Sequence, residues 1–259
     1  FIEKTEGQVY SIQKVSNHIL VGHHQGALEL KESQIYSLSE LLGYWTFFQL
    51  KDNPDYLMAG TYKGLVLFKQ TELGLQFVRK IKGFAESSRV MAQDENGDIW
   101  MTHGYKGVFK LKLNQQLDSV TVRYYGTEKG LPSQLLINVW EIDSRLVFTT
   151  ESEVYTYQKK SDRFVKDDFF AQHFSPNTQI SFLEQDALGN IYFLARDEMG
   201  ILEKRPNGVY EKKTQVFNRL KGLLNDDLQN LSVLNTNYVI YGAKEGFIIY
   251  NKSADRMTE

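Results

Sequence analysis

"DENGDIWMTHGYKGVFKL", residues 94–111, reads as a tight turn, a short strand, a glycine-bearing turn and a second strand. Asn96-Gly97 has the positive-φ preference that closes a tight hairpin. Trp100 stands among apolar neighbours on the strand that follows. A single stretch of this kind would be one hairpin, whereas a series would be an architecture, so the number of copies decides the fold.

The copies are there. "HILVGHHQGALEL" at 18–30, "YLMAGTYKGLVLF" at 56–68 and "YVIYGAKEGFIIY" at 238–250 fit the same template, and "RLVFTTESEVYTY" at 145–157 and "NIYFLARDEMGILEK" at 190–204 follow it more loosely. The turn ends in Gly26, Gly64, Gly107, Gly200 and Gly246, with Glu153 in that slot of the fourth copy, at intervals of 38, 43, 46, 47 and 46 residues. That period is close to the roughly 40–45 residues of a four-stranded blade. Each copy is preceded by an apolar segment and a polar reversal, and followed by a polar-aromatic strand such as "LQFVRKI" (75–81), "VTVRYYG" (120–126) or "DRFVKDD" (162–168). The spacing therefore predicts an all-β β-propeller of four-stranded antiparallel blades, with six repeats in one propeller region, 1–259. The units are 8–44, 45–86, 87–136, 137–178, 179–228 and 229–259, with hairpin reversals near Asp52–Asp55, Asp94–Asp98 and Asp186–Asn190. Trp100 is expected to pack between sheets, and Gly107 to turn the chain into the third strand of its unit.

The two ends share material: "FIEKTEG" at 1–7 aligns with "FVRKIKG" at 77–83, and "DRMTE" resembles the start of "DRFVKDD". Residues 1–7 are thus expected to be the outer strand of a preceding or closing blade. The chain begins at Phe1 rather than Met, so an excised or processed segment of a longer parent is expected.

Composition narrows the function classes. With a formal net charge of -2 and no run of basic residues longer than two, nucleic acid is not an expected partner. The 259 residues contain no Cys, which excludes disulfides, zinc–thiolate sites and Cys nucleophiles. No apolar run approaches the roughly 18 residues of a membrane span, and no signal peptide is visible.

The pattern Asp94-x-x-Gly97-x-Ile99-Trp100, followed by Thr102 and the Gly107 turn, resembles the two-component regulator propeller repeat. "KGLPSQLL" at 129–136, echoed by "KGLLNDDL" at 221–228, resembles that repeat's entry to the next blade. The third unit matches it best; the fourth lacks its glycine and the fifth has Tyr192 where Trp is usual. Such repeats are typical of sensor regions in large regulators of Bacteroidetes-type bacteria, including hybrid two-component systems and helix-turn-helix regulators. The resemblance implies a periplasmic, non-catalytic sensor, membrane-anchored only through parts of a parent not contained in this sequence. It also implies an oligosaccharide or other small ligand, and homodimers formed through the parent.

The residues themselves offer little chemistry. His23 and His24 are adjacent and would point to opposite faces of a strand, and the five histidines do not recur at equivalent slots, so surface turn positions are expected for them. Asp167-Asp168 and Asp226-Asp227 read as solvated loop charges. No catalytic residue, metal site or cofactor is therefore expected, and a propeller lyase or lactonase, or a protein-interaction scaffold, stands as the alternative. The turns between second and third strands carry the one binding signal: Tyr62, Lys63, His103, Tyr105, Lys106 and Arg196 combine rings with cationic donors. These are predicted to gather on one rim and to hold a saccharide or a partner loop, as exposed residues of little weight in the core.

Overall fold

The computed structural model describes residues 5–224, 229–254 and 256–258. The readings placed on the first four residues and on Asp226-Asp227 lie outside these, as does the second half of "KGLLNDDL". Among the described residues, six four-stranded antiparallel sheets follow one another, each a meander in chain order. This is the β-propeller architecture that the repeat period predicts. The chain divides into two compact units, Phe1–Glu128 and Lys129–Glu259, each carrying three blades.

In the first unit, blade one is β1 (Val9–Val15), β2 (His18–His23), β3 (Gly26–Lys31) and β4 (Gln34–Ser39). Blade two is β5 (Tyr44–Gln49), β6 (Tyr56–Thr61), β7 (Gly64–Thr71) and β8 (Gly74–Lys80), and blade three is β9 (Val90–Gln93), β10 (Ile99–His103), β11 (Gly107–Leu113) and β12 (Val120–Tyr125). The first strands of successive blades are neighbours, β1 against β5 and β5 against β9. Consecutive apolar residues of β6 serve both sides of blade two. Leu57 and Ala59 pack with Leu20 and Ala27 of blade one, and Met58 packs with Ile99 and Met101 of blade three. A sheet buried on both faces needs an unbroken apolar run rather than an alternating one, which is why this strand reads "YLMAG".

The second unit repeats the scheme. Blade four is β13 (Asn138–Ile142), β14 (Arg145–Thr149), β15 (Val154–Gln158) and β16 (Arg163–Lys166), followed by the six-residue helix α1 (Asp168–His173). Blade five is β17 (Ile180–Gln185), β18 (Ile191–Ala195), β19 (Met199–Lys204) and β20 (Tyr210–Lys213), and blade six is β21 (Leu231–Val233), β22 (Tyr238–Ala243), β23 (Gly246–Asn251) and β24 (Arg256–Thr258). In the "IYFLA" of β18, Ile191 and Phe193 join the core shared with blade four, while Tyr192 and Leu194 join Val239, Tyr241 and Tyr250 of blade six.

Hairpin chemistry explains the repeat motif. Asp94 is buried; its Oδ1 accepts the backbone N–H groups of Asn96 (2.9 Å) and Asp98 (3.0 Å), and its Oδ2 accepts the Trp100 indole N–H at 2.8 Å. Gly97, at φ +79°, lets the chain reverse inside that hold. Trp100 therefore does more than pack: its N–H fastens the turn to the strand, and the Lys110 ammonium lies 5.0 Å over its ring. Blade five, with Tyr192 in place of Trp, keeps the hold by another donor. Asp186 Oδ1 accepts the N–H groups of Leu188 and Asn190 (both 2.9 Å), and the Asn190 side-chain amide donates to Asp186 Oδ2 at 2.6 Å.

Candidate functional site

The turn between β6 and β7 begins with Thr61, whose Oγ1 accepts the N–H of Lys63 at 3.2 Å. Thr150 does the same for Ser152 in blade four, at 3.3 Å. The equivalent slots of blades one and three hold His23 and His103, and their Nδ1 atoms accept the N–H of Gln25 (3.1 Å) and Tyr105 (3.2 Å). These two histidines are turn caps, each accepting a backbone N–H through Nδ1. The His103 imidazole is held below its ordinary value, by burial first and by the Lys106 charge second, against the opposing pull of Glu86. His23 is 2 % exposed, which corrects the expectation of surface histidines; its ring fills space beneath Gly7.

The connections between blades draw these turns together. Gly43 donates to His24 O at 2.8 Å and accepts from Tyr62 N at 2.9 Å, so the blade-one and blade-two turns share one connection. The next connection bonds Gly64 N to Glu86 O and Ser88 N to Thr61 O, both at 2.9 Å, and the Glu86 carboxylate takes the Lys106 ammonium at 2.7 Å. Tyr62, Lys63, His103, Tyr105 and Lys106 thus lie on one edge of the first unit, whereas Arg196 belongs to the second, exposed in the turn between β18 and β19.

Within that edge the predicted residues differ in kind. Tyr105 is 76 % exposed. Tyr62 is half-buried, lies against Gly43 so closely that a Cβ there would overlap its ring, and shares a hydrogen bond with the Tyr10 hydroxyl. Its hydroxyl also meets His24 Nδ1 at 2.9 Å. Burial, and then the Tyr10 hydroxyl, push the Tyr62 phenol up to about 12, so it stays neutral. The expectation that Tyr62 carries little packing weight is corrected: Tyr62→Ala should cost about 1–2 kcal/mol and Tyr105→Ala less than about 0.5 kcal/mol. Urea melts of the two variants check this.

Three members of the site escaped the sequence reading: Tyr10, His24 and Trp45. Tyr10 and Trp45 stack with ring centroids 4.3 Å apart, and Trp45 stands 5.3 Å from Tyr62. Both owe their aim to β-bulges. In β1, Val9 pairs with His23 and Ser11 with Gly22, leaving Tyr10 unpaired; in β5, Tyr44 pairs with Thr61 and Thr46 with Gly60, leaving Trp45 unpaired. A bulged residue turns out of the alternating pattern and can present its side chain at the strand end. The Trp45 indole N–H is fixed by Ser87 Oγ at 3.0 Å. The result is a platform of three aromatic rings and an imidazole, rimmed by hydroxyls.

Of the acid pair Asp167-Asp168, Asp168 is exposed as expected, whereas Asp167 is not a solvated loop charge. Asp167 is buried, caps α1 by accepting Phe170 N–H at 3.1 Å, and is paired with the Arg145 guanidinium. The β16 strand ends just before it, and a carboxylate at a helix start meets donors that a loop would not offer. Among the described residues, no three His, Asp or Glu side chains converge as metal ligands.

No protein-family model matches the chain, and no curated protein matches it in sequence. Solved structures do resemble it. Two structures of the extracellular domain of BT4673 from B. thetaiotaomicron, named in one as a one-component and in the other as a hybrid two-component system, align over 100% of this chain with a TM-score of 0.68 and 12% and 13% identity. This chain spans about a third of those chains, 36% and 34%. A Bacteroides fragilis protein named as a 6-phosphogluconolactonase aligns over 99% of this chain and 82% of its own, with TM-score 0.60 and 10% identity. A virginiamycin B lyase from Staphylococcus aureus aligns over 95% and 80%, with TM-score 0.58 and 9% identity. At these identities the likeness is one of fold.

Proposed function

We propose that this chain is a non-catalytic sensor propeller, an extracytoplasmic part of a bacterial regulator, that binds its ligand on the aromatic platform of blades one and two. The observation that carries the reading is the pair of bulges that swing Tyr10 and Trp45 onto Tyr62 and His24. Two successive blades depart from regular pairing at the same slot, and both place a large ring at the strand end. Half-exposed rings beside hydroxyl and imidazole groups suit the apolar face and hydroxyls of a sugar ring. Similarity to extracellular domains of signalling systems supports the sensor role and the extracytoplasmic location.

A stacked ring contributes on the order of 1 kcal/mol. Trp45→Ala together with Tyr62→Ala should therefore weaken binding at least about tenfold, measured by calorimetric titration against a panel of neutral and acidic oligosaccharides. Trp100→Phe, remote from the platform, should leave the affinity unchanged. Equal affinities for wild type and the double variant would remove the platform from the reading. Lactone hydrolysis above background, or a stoichiometric metal that survives dialysis, would displace the sensor reading in favour of an enzyme.

A further inference from the structure

Arg89 precedes β9 directly and has no part in the turn and platform contacts described above. Its position follows from the register. Thr102 pairs with Val90 in blade three as Gly60 pairs with Thr46 in blade two and Gly22 with Ser11 in blade one, each one step before the pair that closes the turn. Tyr10, Trp45 and Arg89 therefore hold the same slot in three successive blades. The guanidinium lies 5.6 Å over the Trp45 ring, and Arg89 is exposed. Among the described residues it makes no ion pair, and its acidic neighbour Glu86 is already engaged by Lys106.

A guanidinium held over an indole by its charge keeps its N–H donors available to a second partner. Those donors match a carboxylate, which they can take through two parallel hydrogen bonds. One guanidinium over an indole, with the Lys106 ammonium already taken by Glu86, fits a single negative charge. We propose that the ligand of this platform is a ring with an apolar face and a carboxylate, the face lying on the aromatic rings and the carboxylate meeting Arg89. This rests on the platform being the binding surface, and it adds the charge. Two sources share the chemistry, a uronic acid saccharide and an aromatic carboxylic acid.

The experiment titrates the protein calorimetrically with three probes: a uronic acid disaccharide, its methyl ester, and 4-hydroxyphenylacetate. At least one acid should bind, and binding of the disaccharide or of the aromatic acid identifies the source. If the disaccharide binds, its ester should be at least tenfold weaker. Arg89→Gln should cost the bound acid tenfold or more and leave any ester binding unchanged. Arg89→Lys should recover only part of the loss, because an ammonium lacks the planar fork. The exposed site makes an unchanged melting curve the expected control. Ester binding equal to acid binding, with no response to Arg89→Gln, overturns the carboxylate assignment and leaves the platform standing. If no probe binds, the carboxylate assignment falls; if, in addition, no member of the oligosaccharide panel binds, the platform falls with it.

Discussion

Asp94→Ala should destabilise the protein by about 3 kcal/mol, since it strips the partner from three donors at once, one of them a buried indole N–H. The two backbone N–H groups lie at a turn and can partly rehydrate, whereas the indole cannot, because Trp100 is 1 % exposed. Asp94→Asn keeps an acceptor for the turn but sets an amide N–H against the indole, so an intermediate loss of about 2 kcal/mol is expected. Trp100→Phe removes one donor and leaves Asp94 with Lys110, 3.7 Å from its Oδ2, for a loss of about 1–2 kcal/mol. For a chain of this size a 3 kcal/mol loss corresponds to a fall in Tm of roughly 6–12 °C. Urea melts followed by tryptophan fluorescence give the order of the three variants. If Asp94→Ala melts within about 0.5 kcal/mol of wild type, the hold is decorative and the hairpin stands on backbone bonds alone.

Glu184 should make stability fall as pH rises from about 4.5 to about 7. It sits on β17 and accepts the N–H of Val233 in the first strand of blade six at 3.1 Å. Blade one solves the same problem with a neutral group: Gln13 Oε1 accepts Phe47 N–H of blade two at 2.9 Å. Burial pushes the Glu184 carboxyl from 4.5 up to about 7, opposed by the Val233 bond, and the Tyr241 hydroxyl close by is buried without a partner. Tyr241 is itself raised by burial, then by Tyr192, Tyr250 and Glu184. The folded-state value lies above the unfolded one, so this contribution is whole below about 4.5 and is lost as pH climbs to about 7. A shift of that size is worth on the order of 3 kcal/mol. Glu184→Gln should flatten the slope between those pH values and leave the variant the more stable protein at pH 8. A wild-type profile already flat there, or one unchanged by the substitution, would falsify the burial of this charge.

The repeat and its blades were legible in the sequence because they rest on local rules. Asn and Gly at the reversals, glycines at the inner turns and unbroken apolar runs such as "YLMAG" and "IYFLA" each act within a few residues of chain. Period and patterning therefore determined six hairpin pairs and the sheets that carry them. The polar turns of blades two and three were legible for the same reason, which is how Tyr62 and the His103–Lys106 segment came to be named. The platform was not legible, because tertiary structure alone decided it. Tyr10 meets Tyr62 across 52 positions and His24 meets it across 38, and a bulge exists only once two strands have paired in a particular register. Asp167 looked like a loop charge until a helix began beneath it and an arginine arrived from β14. Gln13 and Glu184 look unrelated in the chain; that both hold a neighbouring blade by one backbone N–H is a property of where folding puts them, and so is the burial that raises the carboxyl of one of them.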